Sequence, residues 1–295
     1  MIDLVTIVFQ QELNFLKIQA QSIELYIQQS DLGNIYVVVN DDDSVVDLID
    51  PRWWGINQSK VKVVPYSCWN YSSRINGWEN QQLCKLLAAG SVEHEWSMSL
   101  DAKTWFVQPV DLTKLFDDQG RVTVGTVPVF PVFASSKEFL EKYYAVSMPD
   151  IIGPQGVPFV FHTATVEELI NSHQDFTEFF QTNVRYPHLI TEFHLYSSFV
   201  LSRDTTYERL YNKTQYYTCC NIADSDVNNF DQHYARMLLD KRLLTASIHR
   251  RAYPLLTSKQ LINWTQFLLQ RGLNIRAILG EQQLWHSNLT SLSPN

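Results

Sequence analysis

Two dense runs of apolar and β-branched residues, DLVTIVF at Asp3–Phe9 and IYVVVN at Ile35–Asn40, bracket a segment of helical character. Runs with so little polar alternation are strands covered on both faces. Between them, Glu12–Gln29 places Leu13, Leu16, Ile23, Tyr26 and Ile27 at helical spacing, and Gly33-Asn34 ends the pattern. Strand, helix and strand in this order make a βαβ unit, whose strands are parallel and whose crossover is right-handed. The alternation goes on, with a strand at Lys60–Pro65, a helix at Trp78–Gly90, and strands at Trp96–Leu100, Thr104–Val107 and Val122–Val127. The fold class this predicts is α/β, a mainly parallel sheet flanked by helices.

The C-terminal half is more mixed. Pro149–Pro158 is rich in Gly and Pro and reads as a loop. Helices are expected at Thr165–Gln181, Glu192–Ser202, Asn228–Asp240 and Thr257–Arg271, the last capped by Thr257 or Ser258 and stopped by Gly272. A strand at Leu243–Ile248 ends at His249, and the tail beyond Trp285 is polar. No repeat, low-complexity tract or linker interrupts the 295 residues, so one domain with an elaborated second half is expected.

Composition narrows the function. The net charge is −8 and the longest basic runs are the dipeptides Lys241-Arg242 and Arg250-Arg251, which argues against a nucleic-acid-binding face. The cysteines Cys68, Cys84, Cys219 and Cys220 form no C-x-x-C pair, and the vicinal pair is poor disulfide geometry, so reduced thiols are expected. The N-terminus lacks a basic start and a long apolar run, and no stretch is apolar enough for a transmembrane segment. These readings point to the cytoplasm. P-loop and dinucleotide fingerprints, the G-x-S-x-G elbow and the H-E-x-x-H motif are all missing, which disfavours the chemistries they serve.

Asp101 is the first candidate for chemistry. It ends an apolar strand, where open α/β sheets bind ligands, and Lys103 and Thr104 emerge with it. It either caps a turn or holds a divalent ion against phosphates, a charge that Lys103 could also neutralise. On the preceding helix Gln81 and Lys85 share a face, which spacing alone reads as solvated, with Trp78, Leu83 and Leu86 as core. Arg74, in the loop before it, is a phosphate candidate. Thr191 has the character of an N-cap. Glu192 then lies in the first helical turn, either complementing the helix dipole or acting as a general base. His249, followed by Arg250-Arg251, is either structural or a metal ligand beside Asp101.

The motif GW-x-x-QQ-x-x-K-L at Gly77–Leu86, followed by LDAKTWFVQP from Leu100, resembles the DUF6492 family of GT-A-like proteins. TEFHLY at Thr191–Tyr196 and ASIHR at Ala246–Arg250 resemble its later blocks, and the whole order resembles the GT-A (Rossmann-like) glycosyltransferase fold. The resemblance implies a hexosyltransferase-like enzyme using a nucleotide-sugar donor and a glycan or other hydroxyl acceptor. Residues 1–130 would bind the donor and residues 131–285 the acceptor, with 286–295 as tail. Thr6, Gln10, Asn40 and Asp41 would meet the nucleotide. Arg74, Gln81, Lys85 and Lys103 would face the phosphates. Asp101 and His249 would hold Mn or Mg, with Asp101 and Glu192 catalytic and Glu192 the base of an inverting reaction. The usual Asp-x-Asp motif here reads Asp101-Ala102-Lys103. Either the two remaining ligands hold a metal, or Lys103 supplies its charge, or the chain is an inactive module that binds a glycan or nucleotide. A nucleotidyltransferase is a further alternative, disfavoured because Gln10-Gln11-Glu12 stands where such enzymes carry a Gly-rich basic loop.

Overall fold

The computed structural model describes residues 1–40, 42–69, 77–214, 217–273 and 275. The first half runs β1 (Ile2–Val8), α1 (Leu13–Tyr26), β2 (Leu32–Val39), β3 (Val61–Val64), α2 (Gly77–Ala89), β4 (Trp96–Asp101) and β5 (Thr104–Phe106). The second half begins with β6 (Val122–Thr123), β7 (Thr126–Val127), α3 (Ala134–Tyr144), β8 (Ile151–Ile152), β9 (Phe159–His162), α4 (Thr163–Asn171) and α5 (Phe176–Asn183). It closes with α6 (Glu192–Asp204), β10 (Tyr211–Asn212), β11 (Thr218–Ile222), α7 (Phe230–Leu239), β12 (Leu243–Ile248) and α8 (Ser258–Gln270).

The main sheet has the order β3-β2-β1-β4-β9. Its first four strands are parallel and β9 runs antiparallel to β4. Every residue of β1 is buried, which is why its sequence shows no polar alternation. Gly33, at the start of β2, is required by close approach: a Cβ there would lie 2.2 Å from the Asp3 carboxylate. That carboxylate accepts from the amides of Asn34, Glu93 and His94 and so ties three chain segments together below the sheet.

Several expectations need correction. Val122–Val127 is two short strands in different sheets, because the chain bonds to Asn212 through Val124 and then to Gly153 through Gly125. The single helix expected at Thr165–Gln181 is α4 and α5. Asp175 caps a new helix by accepting from the Glu178 amide at 2.8 Å. The loop at Pro149–Pro158 contains β8, and α3, β9, β10 and β11 had no strong local signal.

The main sheet and a second sheet meet at Asp101. The chain leaves β4 there, turns through Ala102 and Lys103, and enters β5, which pairs antiparallel with β12. β12 in turn pairs parallel with β11. Because Ser247 lies opposite Thr104, the end of β12 delivers His249 to the same turn. One buried amide secures this crossing. Gln19 of α1 accepts from the Thr6 hydroxyl at 2.8 Å and donates to the carbonyls of Asp101 at 2.7 Å and Thr104 at 2.8 Å. Among the described residues no helix is long and apolar enough to cross a membrane.

Replacing Gln19 by Leu leaves the Thr6 hydroxyl and two turn carbonyls without partners. Each lost partner costs about 1–3 kcal/mol, so a total loss of at least about 3 kcal/mol is expected in urea unfolding. A variant as stable as the wild type would show that the turn is held by other means.

Candidate active site

Helix α2 forms one wall of a cleft at the carboxyl end of β4. The helix packs against β1 and against α4, α5 and α6, so nearly all of it is buried. Gln81, Gln82 and Lys85 are therefore enclosed, and Trp78 at the helix start is the residue left half exposed. This reverses the solvated face expected from spacing, because the second half of the chain covers what a lone helix would show to water. The cleft holds roughly 250 Å³ and is lined by these residues together with Asp101, Lys103, Glu192, His194 and His249.

At its floor two lysines clasp one carboxylate. Lys85 Nζ lies 2.9 Å from Asp101 Oδ1 and 3.0 Å from Glu192 Oε1. Lys103 Nζ donates to Asp101 Oδ2 at 2.9 Å, and Gln81 Nε2 donates to Oδ1 at 2.8 Å. Burial pushes the Asp101 carboxyl toward the neutral form, but Lys103 and Lys85 more than offset this and hold it well below the usual carboxylate range. Burial likewise works against charge on Lys85, and the two carboxylates outweigh it, holding its ammonium above the ordinary lysine range.

Glu192 comes from the other half of the chain. Thr191 caps α6 by accepting from the His194 amide at 3.2 Å, which sets Glu192 at the helix start facing Lys85. Burial raises the Glu192 pKa, and Lys85 opposes this only in part. Glu12 is buried nearby, 3.8 Å from Lys103, and burial raises its pKa as well. His194 accepts from Ser136 through Nδ1 at 3.0 Å and donates from Nε2 to Gln155 at 3.0 Å; burial lowers its pKa to about 4, so it is a neutral hydrogen-bonding wall.

The cleft brings together Asp101, Lys103, Gln81, Lys85, Glu192 and His249 from the sequence expectations. It does not bring in the expected nucleotide contacts. Thr6 is fully buried, its hydroxyl turned to Gln19, because β1 is a central strand. Asn40 is also buried, donating to the Gly77 carbonyl and accepting from Asn80, so it anchors the start of α2. Gln10 is exposed and lies outside the lining. Asp41 and Arg74 lie outside the described residues. Sequence reasoning did not single out Gln155, His194 or Phe133, all of which line the cleft. Phe133 precedes the unforeseen α3 and Gln155 sat in what read as a plain loop.

The donor set does not fit the expected divalent ion. Both Asp101 oxygens are engaged by ammonium or amide donors, so an ion there would have to displace a lysine. His249 uses Nδ1 to accept from the Arg251 amide at 3.3 Å, and burial, Lys103 and Arg251 lower its pKa. Among the described residues no group of three or more His, Cys, Asp or Glu is placed to hold a metal ion.

Residues 8–288 match DUF6492, a family of unknown function, and the chain belongs to that family. No curated protein matches the sequence. The fold is that of GT-A glycosyltransferases. The galactosyltransferase LgtC, crystallised with donor and acceptor sugar analogues, superposes with a TM-score of 0.52 over 92% of this chain and 95% of its own, at 9% identity. The glycosyltransferase GlyE of Streptococcus pneumoniae TIGR4 superposes with a TM-score of 0.51 over 95% of this chain and 63% of its own, at 10% identity. Identities this low establish a shared fold.

Lys85→Met leaves two buried carboxylates without their common cation and is expected to destabilise the protein by about 3–5 kcal/mol in urea unfolding. Asp101 adds an acid dependence. Its pKa is depressed on folding, so its contribution is complete above the unfolded value and is lost as pH falls toward the folded one. Between about pH 5 and about pH 2, stability should fall more steeply for the wild type than for Asp101→Asn. Equal slopes would remove Asp101 from the pairing.

Proposed function

We propose that this DUF6492 protein is a glycosyltransferase that moves a sugar from a nucleotide-sugar donor to a hydroxyl acceptor, with Lys103 in place of a divalent ion as the counter-charge to the diphosphate. The reading is supported by the GT-A fold and by a polar cleft at the carboxyl end of its parallel strands, where α/β sheets take their ligands. The observation that carries it is the Asp101-Ala102-Lys103 turn, in which an ammonium lies 2.9 Å from the strand-end carboxylate.

In this reading the acceptor oxygen attacks the anomeric carbon. The bond from that carbon to the diphosphate oxygen breaks and its electron pair stays with the diphosphate. Lys103 lies within reach of that growing charge, and a fixed cation in a partly dry cleft stabilises it without reorganising solvent. The acceptor's proton passes to Glu192, whose pKa burial has moved toward the range useful to a general base at neutral pH. The cleft, at roughly 250 Å³, is below the ~300–1,000 Å³ of sites that enclose a drug-sized ligand, so in this reading it encloses only part of the donor.

Calorimetry with UDP, GDP and their sugar conjugates in EDTA tests the proposal. At least one diphosphate should bind without metal, and Lys103→Ala should weaken it about tenfold or more. Diphosphate release from the matching donor should persist in EDTA and vanish in Asp101→Ala. Release only on adding Mn²⁺ would remove Lys103 from its role. Failure of every nucleotide sugar to bind or turn over would end the transferase reading.

A further inference from the structure

Two buried polar atoms on residues that line the cleft have no hydrogen-bond partner, and their chemistry is complementary. Glu192 Oε2 is a carboxylate acceptor whose sister oxygen is taken by Lys85 at 3.0 Å. Gln82 Nε2 is an amide donor whose carbonyl oxygen accepts from the Glu192 backbone at 3.4 Å. Both residues line the cleft, and both are almost wholly buried, at 2% exposure for Gln82 and 1% for Glu192. Of the buried unpartnered side-chain atoms among the described residues, these two alone belong to the cleft lining.

Buried polar groups are nearly always paired, since an unmade hydrogen bond keeps the full cost of desolvation. Here one acceptor and one donor are left over on two residues that are joined by a hydrogen bond from the Glu192 backbone amide to the Gln82 carbonyl oxygen. One small group satisfies both at once, a hydroxyl that donates its proton and accepts on its oxygen. A phosphate would meet Glu192 as a like charge, and an ammonium would leave the Gln82 amide unsatisfied. We infer that Gln82 Nε2 and Glu192 Oε2 form a seat for one saccharide hydroxyl, with Gln82 deciding whether a sugar lacking that hydroxyl is accepted. The seat itself rests on the two unpartnered atoms; the transferase reading adds only where the saccharide comes from. If it is the acceptor, the seated hydroxyl is the one Glu192 deprotonates. If it is the donor, Gln82 reads the sugar that is transferred.

Gln82→Met and Glu192→Gln test the seat. Ligand-detected NMR would use the methyl glycosides of glucose, galactose and mannose. Calorimetry would compare UDP with UDP-glucose and UDP-galactose, and GDP with GDP-mannose. Expected is a saccharide contribution, either free binding or the gain of a nucleotide sugar over its bare diphosphate, that falls about tenfold in both variants. Bare diphosphate affinity should stay unchanged in Gln82→Met. That change removes an unpartnered buried donor but also the acceptor of the Glu192 amide, so the loss of saccharide binding with bare diphosphate affinity kept, rather than the melting temperature, separates the seat from a merely structural glutamine. Dependence seen with methyl glycosides assigns the acceptor, and dependence seen with nucleotide sugars assigns the donor. Dependence of free glycosides on Gln82 without any diphosphate binding keeps the seat and ends the transferase reading. Saccharide binding unaltered by Gln82→Met, or none to the wild type, overturns the seat.

Discussion

Lys85 stands between Asp101 and Glu192, and the cleft is organised around that shared cation. A lysine this deeply buried needs partners, because an unpaired ammonium in the interior loses hydration that nothing returns. The two carboxylates supply them from opposite halves of the chain, one at the end of a main-sheet strand and the other at the start of a covering helix. The ion pair therefore joins α2, β4 and α6 at one point. The position of each carboxylate is set by a backbone device: the Gln19 amide grips the Asp101 turn, and the Thr191 cap sets the first turn of α6.

The same arrangement leaves neither oxygen of Asp101 free of a donor. Asp101 is the sort of strand-end carboxylate that holds a divalent ion in many α/β sites, yet here both of its oxygens are already neutralised by donors within 3 Å. Lys103, two residues further along the turn, pairs its ammonium with the Asp101 carboxylate at 2.9 Å. Glu192 is in the opposite condition. One oxygen is held by Lys85 and the other is buried without a partner, and burial raises its pKa. Two carboxylates in one cleft thus reach different protonation preferences from the number of donors each receives.

Much of the fold was legible in the chain. The β-branched runs at β1 and β2 could only be central strands, and the apolar strand ending in Asp101 marked the edge where a cleft opens. Thr191 and Thr257 read as caps and serve as caps. The differences between the sequence expectations and the burial of these side chains share one cause. Thr6 and Asn40 sit near strand ends, as nucleotide contacts do, but a strand's end does not reveal which neighbours cover its side chains. Gln81 and Lys85 read as a wet face because a single helix cannot announce that α6 will close over it.

The sequence by itself determined the alternation of strands and helices, the parallel sheet and the residue types available at the carboxyl edge. These follow from patterns repeated every two to four residues, which burial imposes locally. Only the tertiary structure decided which of those residues meet. Lys85 and Glu192 are 107 positions apart, and Gln19 reaches a turn more than 80 positions away. Such pairings carry no local signature. They arise when packing removes water from polar groups and leaves each one to find the partner that the folded chain has brought within reach.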